Sequence, residues 1–147
     1  MSTSRAALRR ETASAILIDT AGRLLLQQRD DILGILYPGM VGLFGGHREG
    51  NETFLECVVW EVHEEVSYFV PPEQFEYLAE RLGVDPDVEG GIIHGQVFVA
   101  RDIPSDKLVI TEGSLLIVSP DQLSRIEPNL APSARLALKA LGSLDAA

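Results

Sequence analysis

The segment FLECVVWEVHEEV, Phe54–Val66, constrains the fold more than any other part of the sequence because it predicts an amphipathic α-helix. Neither proline nor glycine interrupts it, and Thr53 with Glu56 three residues later forms a capping-box pattern at its start. At about 100° per residue, its aliphatic side chains share one sector: Leu55, Val58, Val59, Val62 and Val66. This helix therefore needs an apolar surface, such as one face of a sheet, to cover that sector.

Three carboxylates, those of Glu61, Glu64 and Glu65, share a second face of the helix, whereas Glu56 and His63 fall on the remaining, solvated side. A solvated acidic face is the ordinary explanation, because glutamate is a good helix former and like charges at helical spacing cost only a few tenths of a kcal/mol in water. Within a cleft, two carboxylates about 6 Å apart would repel by roughly 3 kcal/mol at an effective dielectric near 20. A cleft location would therefore require a cation.

The loop before the helix favours a cleft location for these three carboxylates. Gly45 and Gly46 precede the loop HREGNE, and glycine lets the backbone approach a ligand closely. Glu52 adds a further carboxylate at the end of this loop. Oxygen ligands of this kind suit Mg²⁺ or Mn²⁺, and a cation held by them keeps positions for substrate phosphates. The loop and helix together predict a metal and pyrophosphate site.

The rest of the sequence predicts a mixture of strands and helices. Ala13–Asp19 and Leu24–Arg29 predict a hairpin around Gly22, and Met40–Phe44 predicts a short strand that ends at the glycine pair. Further candidates are strands at Ile92–Ala100, Leu108–Ile110 and Leu115–Val118, a helical turn at Ser119–Pro120 and a closing helix at Ser133–Leu141, while Glu73–Gly83 fits either a helix or a strand. We therefore expect one α+β or layered α/β/α domain over residues 1–147, in which about residues 1–10 form a flexible lead-in.

The charge, the cysteine content and the lengths of the apolar runs limit the classes of protein to which this chain could belong. The 12 Lys and Arg residues against 22 Asp and Glu residues give a formal net charge of −10, which argues against a duplex nucleic-acid binder. An acidic protein that acts on phosphate esters needs a cation between its carboxylates and the substrate. The one cysteine, Cys57, excludes an internal disulfide and is expected to be a small buried thiol, which fits a cytoplasmic location. No apolar run reaches the roughly 18 residues of a membrane span, so no membrane partner is expected.

The loop and helix resemble the signature box of the Nudix hydrolases, which runs Gly, five residues, Glu, seven residues, Arg-Glu, an aliphatic residue, any residue, Glu-Glu, any residue, Gly and an aliphatic residue. The match extends from Gly46 to Tyr68, and the spacing is kept throughout. The matching positions are Gly46, Glu52, Glu61, Val62, Glu64 and Glu65. The LLLQQRDD and HGQVFVA strands also stand where this family has them. The resemblance implies an α/β fold of Nudix type, an α/β/α sandwich with a mixed central sheet.

The resemblance also implies roles for individual residues. The implied metal ligands are Glu61, Glu64, Glu65 and the carbonyl of Gly45. The implied catalytic residues are Glu52, Glu61, Glu64 and Glu112. Glu52 would orient or stabilise the site, and Glu61 or a glutamate from a later loop would activate water. Glu112, in VITEGSLLIV, corresponds to an additional acidic residue that faces the metals, although a Glu-Gly pair in a loop also fits an ordinary turn.

Two positions depart from the box: Trp60 replaces the arginine and Ser67 replaces the late glycine. In the family the arginine holds box glutamates through charge-assisted hydrogen bonds, and an indole with one N–H and no charge does not reproduce that pairing. We expect Trp60 to be a partly exposed aromatic residue that packs on a neighbour, with base stacking as the alternative. Ser67 predicts a different exit from the helix than glycine would allow.

Candidate substrate contacts flank the glycine pair. Arg29, Gly46 and His47 are assigned to substrate binding. Arg29 also fits a surface salt bridge with a neighbouring aspartate, and His47 also fits ordinary surface hydrogen bonds. Either Tyr37 or Phe44 could stack on a base, with core packing favoured for Phe44.

The leading hypothesis is a Mg²⁺-dependent enzyme that hydrolyses a pyrophosphate bond in a nucleoside diphosphate linked to a moiety X. The alternative is a catalytically weakened Nudix domain that acts as a nucleotide-binding or regulatory module. A third hypothesis, a purely structural acidic domain, predicts no affinity for divalent metals. The expected partner is a small nucleotide-type molecule, and the family resemblance adds a homodimer as an option.

Overall fold

A computed structural model describes residues 9–35, 37–85 and 88–144. Its seven strands are β1 Arg9–Asp19, β2 Leu24–Gln28, β3 Val41–Gly42, β4 Phe44–His47, β5 Phe75–Val84, β6 Ile92–Ile103 and β7 Ser114–Val118. Its α-helices are α1 Phe54–Val66, α2 Leu123–Ile126 and α3 Pro132–Leu141. Short 3-10 turns lie at Pro72–Gln74, Ser105–Lys107, Pro120–Gln122 and Glu127–Asn129. Among the described residues, no helix has the length and apolar character needed to cross a membrane.

The strands form one mixed sheet with β1 at its centre. The order is β3-β2-β1-β6-β5, with β4 also paired to β1 and β7 also paired to β2. Strands β1 and β6 run parallel, whereas the other pairs are antiparallel. The predicted hairpin is confirmed, since Leu17 lies opposite Leu25 in the β1–β2 pair. Strand β1 begins at Arg9, so the sheet includes the last two residues of the predicted lead-in over 1–10, and residues 1–8 lie outside the described part of the chain.

The prediction of one strand over Met40–Phe44 is corrected, because two short strands, β3 and β4, occupy this part of the chain. Strand β3 pairs with the end of β2, through Gln28 opposite Val41, whereas β4 pairs with the first half of β1. The glycine pair lies inside β4, not after a strand. A Cβ at Gly45 would lie 2.3 Å from the carbonyl oxygen of Ala13, so only glycine allows β4 to approach β1 so closely.

Helices cover both faces of the sheet, which confirms the predicted α/β/α sandwich. On one face, the predicted apolar sector of α1 packs against the strands, with Val58, Val62 and Val66 fully buried beside Phe44. On the other face, α2 and α3 bury a second cluster that includes Ile16 of β1. Because successive residues of a strand point to opposite faces, β1 contributes its odd-numbered positions to the α1 side and its even-numbered positions to the α3 side.

Helix α1 has the predicted bounds, and both ends have a clear cause. The Thr53 hydroxyl accepts the amide of Glu56 at 3.0 Å, and the Glu56 carboxylate accepts the amide of Thr53 at 2.8 Å, which completes the capping box. At the other end, Ser67 takes the left-handed conformation, with φ 54 and ψ 35. The prediction of an altered exit was wrong, because this is the conformation in which glycine normally ends a helix.

Two other segments differ from or complete the sequence-based assignment. Leu108–Ile110 is not a strand, because the amides of Val109 and Thr111 donate to the carbonyls of Val66 and Glu65, at 3.0 Å each. These bonds satisfy carbonyls that the end of an α-helix leaves unpaired. The ambiguous segment Glu73–Gly83 is mainly strand β5, which follows a 3-10 turn.

Candidate active site

A cleft of about 400 Å³ lies at the junction of α1, β1, β4 and the loop before β7. It brings together the predicted site residues Arg29, Gly45, Gly46, His47, Glu61, Glu65 and Glu112. Its volume falls in the range of small-molecule sites. The cleft therefore places most of the predicted site in one concave surface.

Glu65 is anchored beneath the glycine pair. Its carboxylate accepts the amide of Gly45 at 2.8 Å, which ties the helix to β4. Burial is the main cause that raises the pKa of Glu65, to about 7, and the charges of Glu61 and Glu112 act in the same direction. The hydrogen bond from Gly45 and the charge of Arg29 lower the pKa in part. Glu65 therefore lies in a crowded, partly desolvated acidic cluster.

Glu61 lies against Gly46. A Cβ at position 46 would stand 1.7 Å from Oε1 of Glu61, so the missing side chain of Gly46 leaves the space that this carboxylate occupies. The pKa of Glu61 is raised by burial first, and then by the charges of Glu49, Glu52, Glu64 and Glu112. Glycine at this position thus lets a carboxylate lie directly on the strand.

Glu112 reaches the cleft from a loop that is held at both sides. The side-chain amide of Gln27 donates to the Glu112 carbonyl at 3.0 Å, and Thr111 is bonded to the end of α1. Gly113 has φ +68, and a Cβ there would lie 2.3 Å from the Gln28 carbonyl oxygen, so the loop packs directly on β2. The turn and the site interpretations of Glu112 are therefore compatible, because the turn carries the carboxylate to the cleft.

Glu52 lies in a neighbouring acidic recess rather than in the cleft itself. The recess has a volume of about 320 Å³ and is lined by His47, Glu49, Glu52, Trp60 and Glu61. The Glu52 carboxylate accepts the amide of Glu49 at 2.8 Å, which closes the loop on itself. Beneath it, Cys57 is buried as expected; burial, followed by the charges of Glu52 and Glu61, raises the pKa of its thiol to about 12.

Glu64 is exposed and does not line the cleft, although its charge raises the pKa of Glu61. In the described ranges, no group of three His, Cys, Asp or Glu side chains stands ready to surround a metal. For these carboxylates to surround a metal, side chains would have to rotate, which the exposed Glu64 and Glu112 allow. The donors fit a hard divalent cation, because all are oxygens and because the clustered charges already disfavour ionisation of Glu61 and Glu65.

The aromatic residues near the site differ in their exposure and in the neighbours on which they pack. Trp60 is 57% exposed and meets His63 edge to face, with ring centroids 6.3 Å apart, as expected for packing on a neighbour. His63 is half-buried between Trp60 and Phe69, so the prediction of a solvated histidine was wrong. Phe44 belongs to the core, whereas Tyr37 lines the cleft with φ 50, an uncommon conformation for a bulky residue.

The sequence analysis missed the far end of the cleft. It is lined by Arg10, Thr12, Ser14, Leu43, Ile93, Ala131, Ser133 and Ala134, together with Tyr37, which the sequence does suggest as a residue that stacks on a base. Arg10, which the sequence places in the flexible lead-in, donates to the buried carboxylate of Asp85 at 2.6 and 2.8 Å. The alternation of polar Thr12 and Ser14 with apolar Ala13 and Ala15 along β1 was the signal that could have identified this wall.

Comparisons with known proteins agree with this geometry. The family model described as NUDIX domain matches residues 8–139. A comparison with curated protein sequences gives no match. Among solved structures, a MutT Nudix hydrolase from Burkholderia pseudomallei superposes with a TM-score of 0.73 at 22% identity, covering 90% of this chain and 98% of that one. A MutT protein from Methanosarcina mazei Go1 gives a TM-score of 0.74 at 18% identity, covering 91% and 93% of the two chains.

A third similar structure is larger than this chain. It is a bifunctional NMN adenylyltransferase/ADP ribose pyrophosphatase from Francisella tularensis, complexed with AMP and a Mn ion. It superposes with a TM-score of 0.66 at 22% identity, covering 90% of this chain but 41% of that chain. At these identities the structures establish the shared fold, and the family model supplies the membership. The chain belongs to the Nudix family, and its enzymatic class is that of a Nudix-type pyrophosphohydrolase.

Proposed function

We propose that this protein hydrolyses a pyrophosphate bond in a nucleoside diphosphate linked to a moiety X, with Mg²⁺ as its cation and Mn²⁺ as a substitute. The observation that carries the proposal is the meeting of Glu61, Glu65 and Glu112 with the glycine pair in one cleft. Arg29 lines the same cleft and lowers the pKa of Glu65, so a cationic side chain lies beside the acidic cluster. The Mn ion and AMP bound to the Francisella tularensis relative support the choice of cation and ligand class.

The metal would be held by Glu61, Glu64, Glu65 and the Gly45 carbonyl. When bound, it would neutralise the carboxylates and polarise the substrate phosphates. Arg29, Gly46 and His47 would orient the phosphate chain, and the cleft walls would exclude bulk water. A carboxylate of the cluster, Glu61 or Glu112, would accept the proton of the attacking water, while Glu52 would keep the loop in place. The products would be a nucleoside monophosphate and the phosphate of X.

We also propose a cellular location and an oligomeric state for the enzyme. A buried single cysteine fits a reducing, cytoplasmic compartment. A homodimer is supported by strand β5, an edge strand of the sheet with exposed Leu82 and Val84. Sedimentation velocity at several protein concentrations tests the dimer, and a single concentration-independent monomer species would exclude it.

The test is product release from a panel of nucleoside diphosphate derivatives, nucleoside triphosphates and dinucleoside polyphosphates, with Mg²⁺ or Mn²⁺. The key variant is Glu64→Gln, and Glu56→Gln is its matched control, because Glu56 is an exposed glutamate of the same helix and glutamine also completes a capping box. We expect turnover of one substrate class that Glu64→Gln loses and Glu56→Gln keeps. Nucleotide binding without turnover above the Glu64→Gln level would instead indicate a regulatory module.

A further inference from the structure

The recess beside the cleft is acidic, and neither an arginine nor a lysine is among the described residues that line it. Glu49, Glu52 and Glu61 line it together with His47 and with Trp60, whose indole offers one N–H and no charge. The loop that carries Glu52 runs from Arg48 to Thr53 and is exposed along most of its length. Such a loop loses its geometry easily unless a side chain holds it. The recess therefore raises the question of what fixes Glu52.

Arg48 makes contacts that answer this question. Its Nη1 donates to the carbonyls of Glu52, at 2.8 Å, and Gly50, at 3.3 Å. Its Nη2 donates to the carboxylate of Glu11 on β1 at 2.7 Å, and its own amide donates to the Glu11 carbonyl at 2.8 Å. The guanidinium also lies over the ring of Phe54, 5.3 Å from the centroid, at the first turn of α1. One side chain thus joins the strand, the loop and the helix.

We propose that Arg48 is a positioning residue for the reaction: it fixes Glu52 and the start of α1 in this chain, where Trp60 leaves the recess without an arginine. Arg48 is only partly exposed, with 23% of its side chain accessible, so its charged hydrogen bonds are less screened than those of a surface pair. By holding the backbone on both sides of Asn51, it determines where Glu52 faces Glu61. The inference rests on the proposed function, because it concerns the carboxylates of that site.

The test compares Arg48→Met with Arg101→Met, which removes an arginine from an exposed surface pair with Glu76. For Arg48→Met we expect kcat to fall by about 10- to 100-fold and Mn²⁺ affinity to fall by a similar factor, with KM changed less than about threefold. Free Mn²⁺ measured by electron paramagnetic resonance gives the affinity without any substrate. Amide exchange of residues 48–53 should accelerate in the same variant. Arg101→Met should leave all four quantities near wild type.

A rescue variant separates positioning from general damage. An arginine at position 60 would line the same recess as Glu49 and Glu52, so Arg48→Met/Trp60→Arg should recover at least about tenfold of a hundredfold loss in kcat and Mn²⁺ affinity. Trp60→Arg alone is measured in parallel to exclude an independent gain. Activity and Mn²⁺ affinity of Arg48→Met within about twofold of wild type would overturn the proposal, and so would a folded Arg48→Met that the second substitution fails to improve.

Two further arrangements keep the test decisive. If Arg48→Met does not fold, Arg48→Lys replaces it, because a lysine keeps the charge and the stem over Phe54 but cannot bond the Glu11, Gly50 and Glu52 oxygens from two separate nitrogens. An intermediate loss is expected for the lysine, and wild-type values would refute the role. If the wild-type protein binds Mn²⁺ yet hydrolyses nothing, the proposed function fails, while the Mn²⁺ affinities still decide the role of Arg48.

Discussion

Gly46 and Gly45 are adjacent, yet alanine should impair activity at the first position and stability at the second. At Gly46 the added Cβ would meet Oε1, Cδ and Cγ of Glu61, at 1.7, 2.5 and 2.9 Å. At Gly45 it would meet the backbone of β1, 2.3 Å from the Ala13 oxygen and 2.6 Å from Cα of Ser14. A side chain can rotate away, whereas a paired strand cannot. We therefore expect Gly46→Ala to disable the site and Gly45→Ala to destabilise the fold.

The size of the Gly46→Ala effect follows from these distances. Ordinary contact with a Cβ begins at 3.4 Å, so Oε1 of Glu61 must move by 3.4 minus 1.7, or about 1.7 Å. A misplacement near 1 Å can cost about 100-fold in rate, which corresponds to about 2.7 kcal/mol of transition-state stabilisation. We expect kcat/KM to fall by at least about 100-fold. The free energy of unfolding should change by less than about 1 kcal/mol, because alanine adopts extended backbone readily.

The assay pairs hydrolysis kinetics with urea unfolding of each variant. Gly45→Ala should lose several kcal/mol of unfolding free energy, of order 3 kcal/mol, because the β1–β4 pair must open. Gly22→Ala serves as the control for alanine at a turn glycine: its φ is +82 and the space around it is open, so it should cost about 1 kcal/mol and leave kcat/KM unchanged. A Gly46→Ala protein that keeps kcat/KM within about fivefold of wild type would show that Glu61 does not depend on the space left at position 46.

Three further predictions concern stability. Asp19→Asn should cost about 2 kcal/mol at neutral pH, because the Asp19 carboxylate accepts the amides of Ala21 and Arg23 and the Arg23 guanidinium at 2.8 to 2.9 Å. Burial raises the pKa of Asp19, but these hydrogen bonds and the Arg23 charge outweigh burial and lower the pKa. The contribution of Asp19 to the free energy of unfolding is therefore full above about pH 4 and is lost as the pH falls through the native pKa. A stability difference between wild type and Asp19→Asn that does not shrink in acid would contradict this. Ser67→Gly should raise the free energy of unfolding by about 1 kcal/mol, because the left-handed conformation costs a serine more than a glycine. An unchanged melting temperature in the Ser67→Gly variant would show that the cap is unstrained. Saturating Mn²⁺ should raise the unfolding free energy by about 2.7 kcal/mol at 100 times its dissociation constant, and Glu65→Gln should reduce this gain whereas Glu56→Gln should not; equal gains in both variants would remove Glu65 from the metal site.

The fold was largely predictable because its determinants are local. The capping box, the uninterrupted run and the aliphatic sector of α1 all depend on residues within one helix, and the structure has the predicted bounds. The hairpin around Gly22 depends on a short turn between two apolar runs in the same way. Leu108–Ile110 shows the limit, because its amides bond to the end of a helix about forty residues earlier, which no local pattern encodes.

The site was predictable where its residues share one element and was missed where distant elements meet. Glu61 and Glu65 follow from the helical period, and the glycine pair from its position before the helix. The far wall of the cleft combines the even-numbered positions of β1 with residues near the start of α3, which are more than 100 positions apart. The role of Arg48 could not be predicted for a related reason, since Glu11, its hydrogen-bond partner, lies 37 residues away. The proposed positioning role of Arg48 also depends on the tryptophan at position 60.

The burial of Cys57 gives the protein a built-in reporter. Its thiol is fully inaccessible beneath the Gly46 carbonyl, at 3.8 Å, and its raised pKa keeps it protonated at neutral pH. Because thiolates react with alkylating reagents far faster than thiols, labelling requires α1 to separate from the sheet. As the only cysteine in the chain, Cys57 allows the opening of the active-site helix to be timed by mass spectrometry, without an engineered probe.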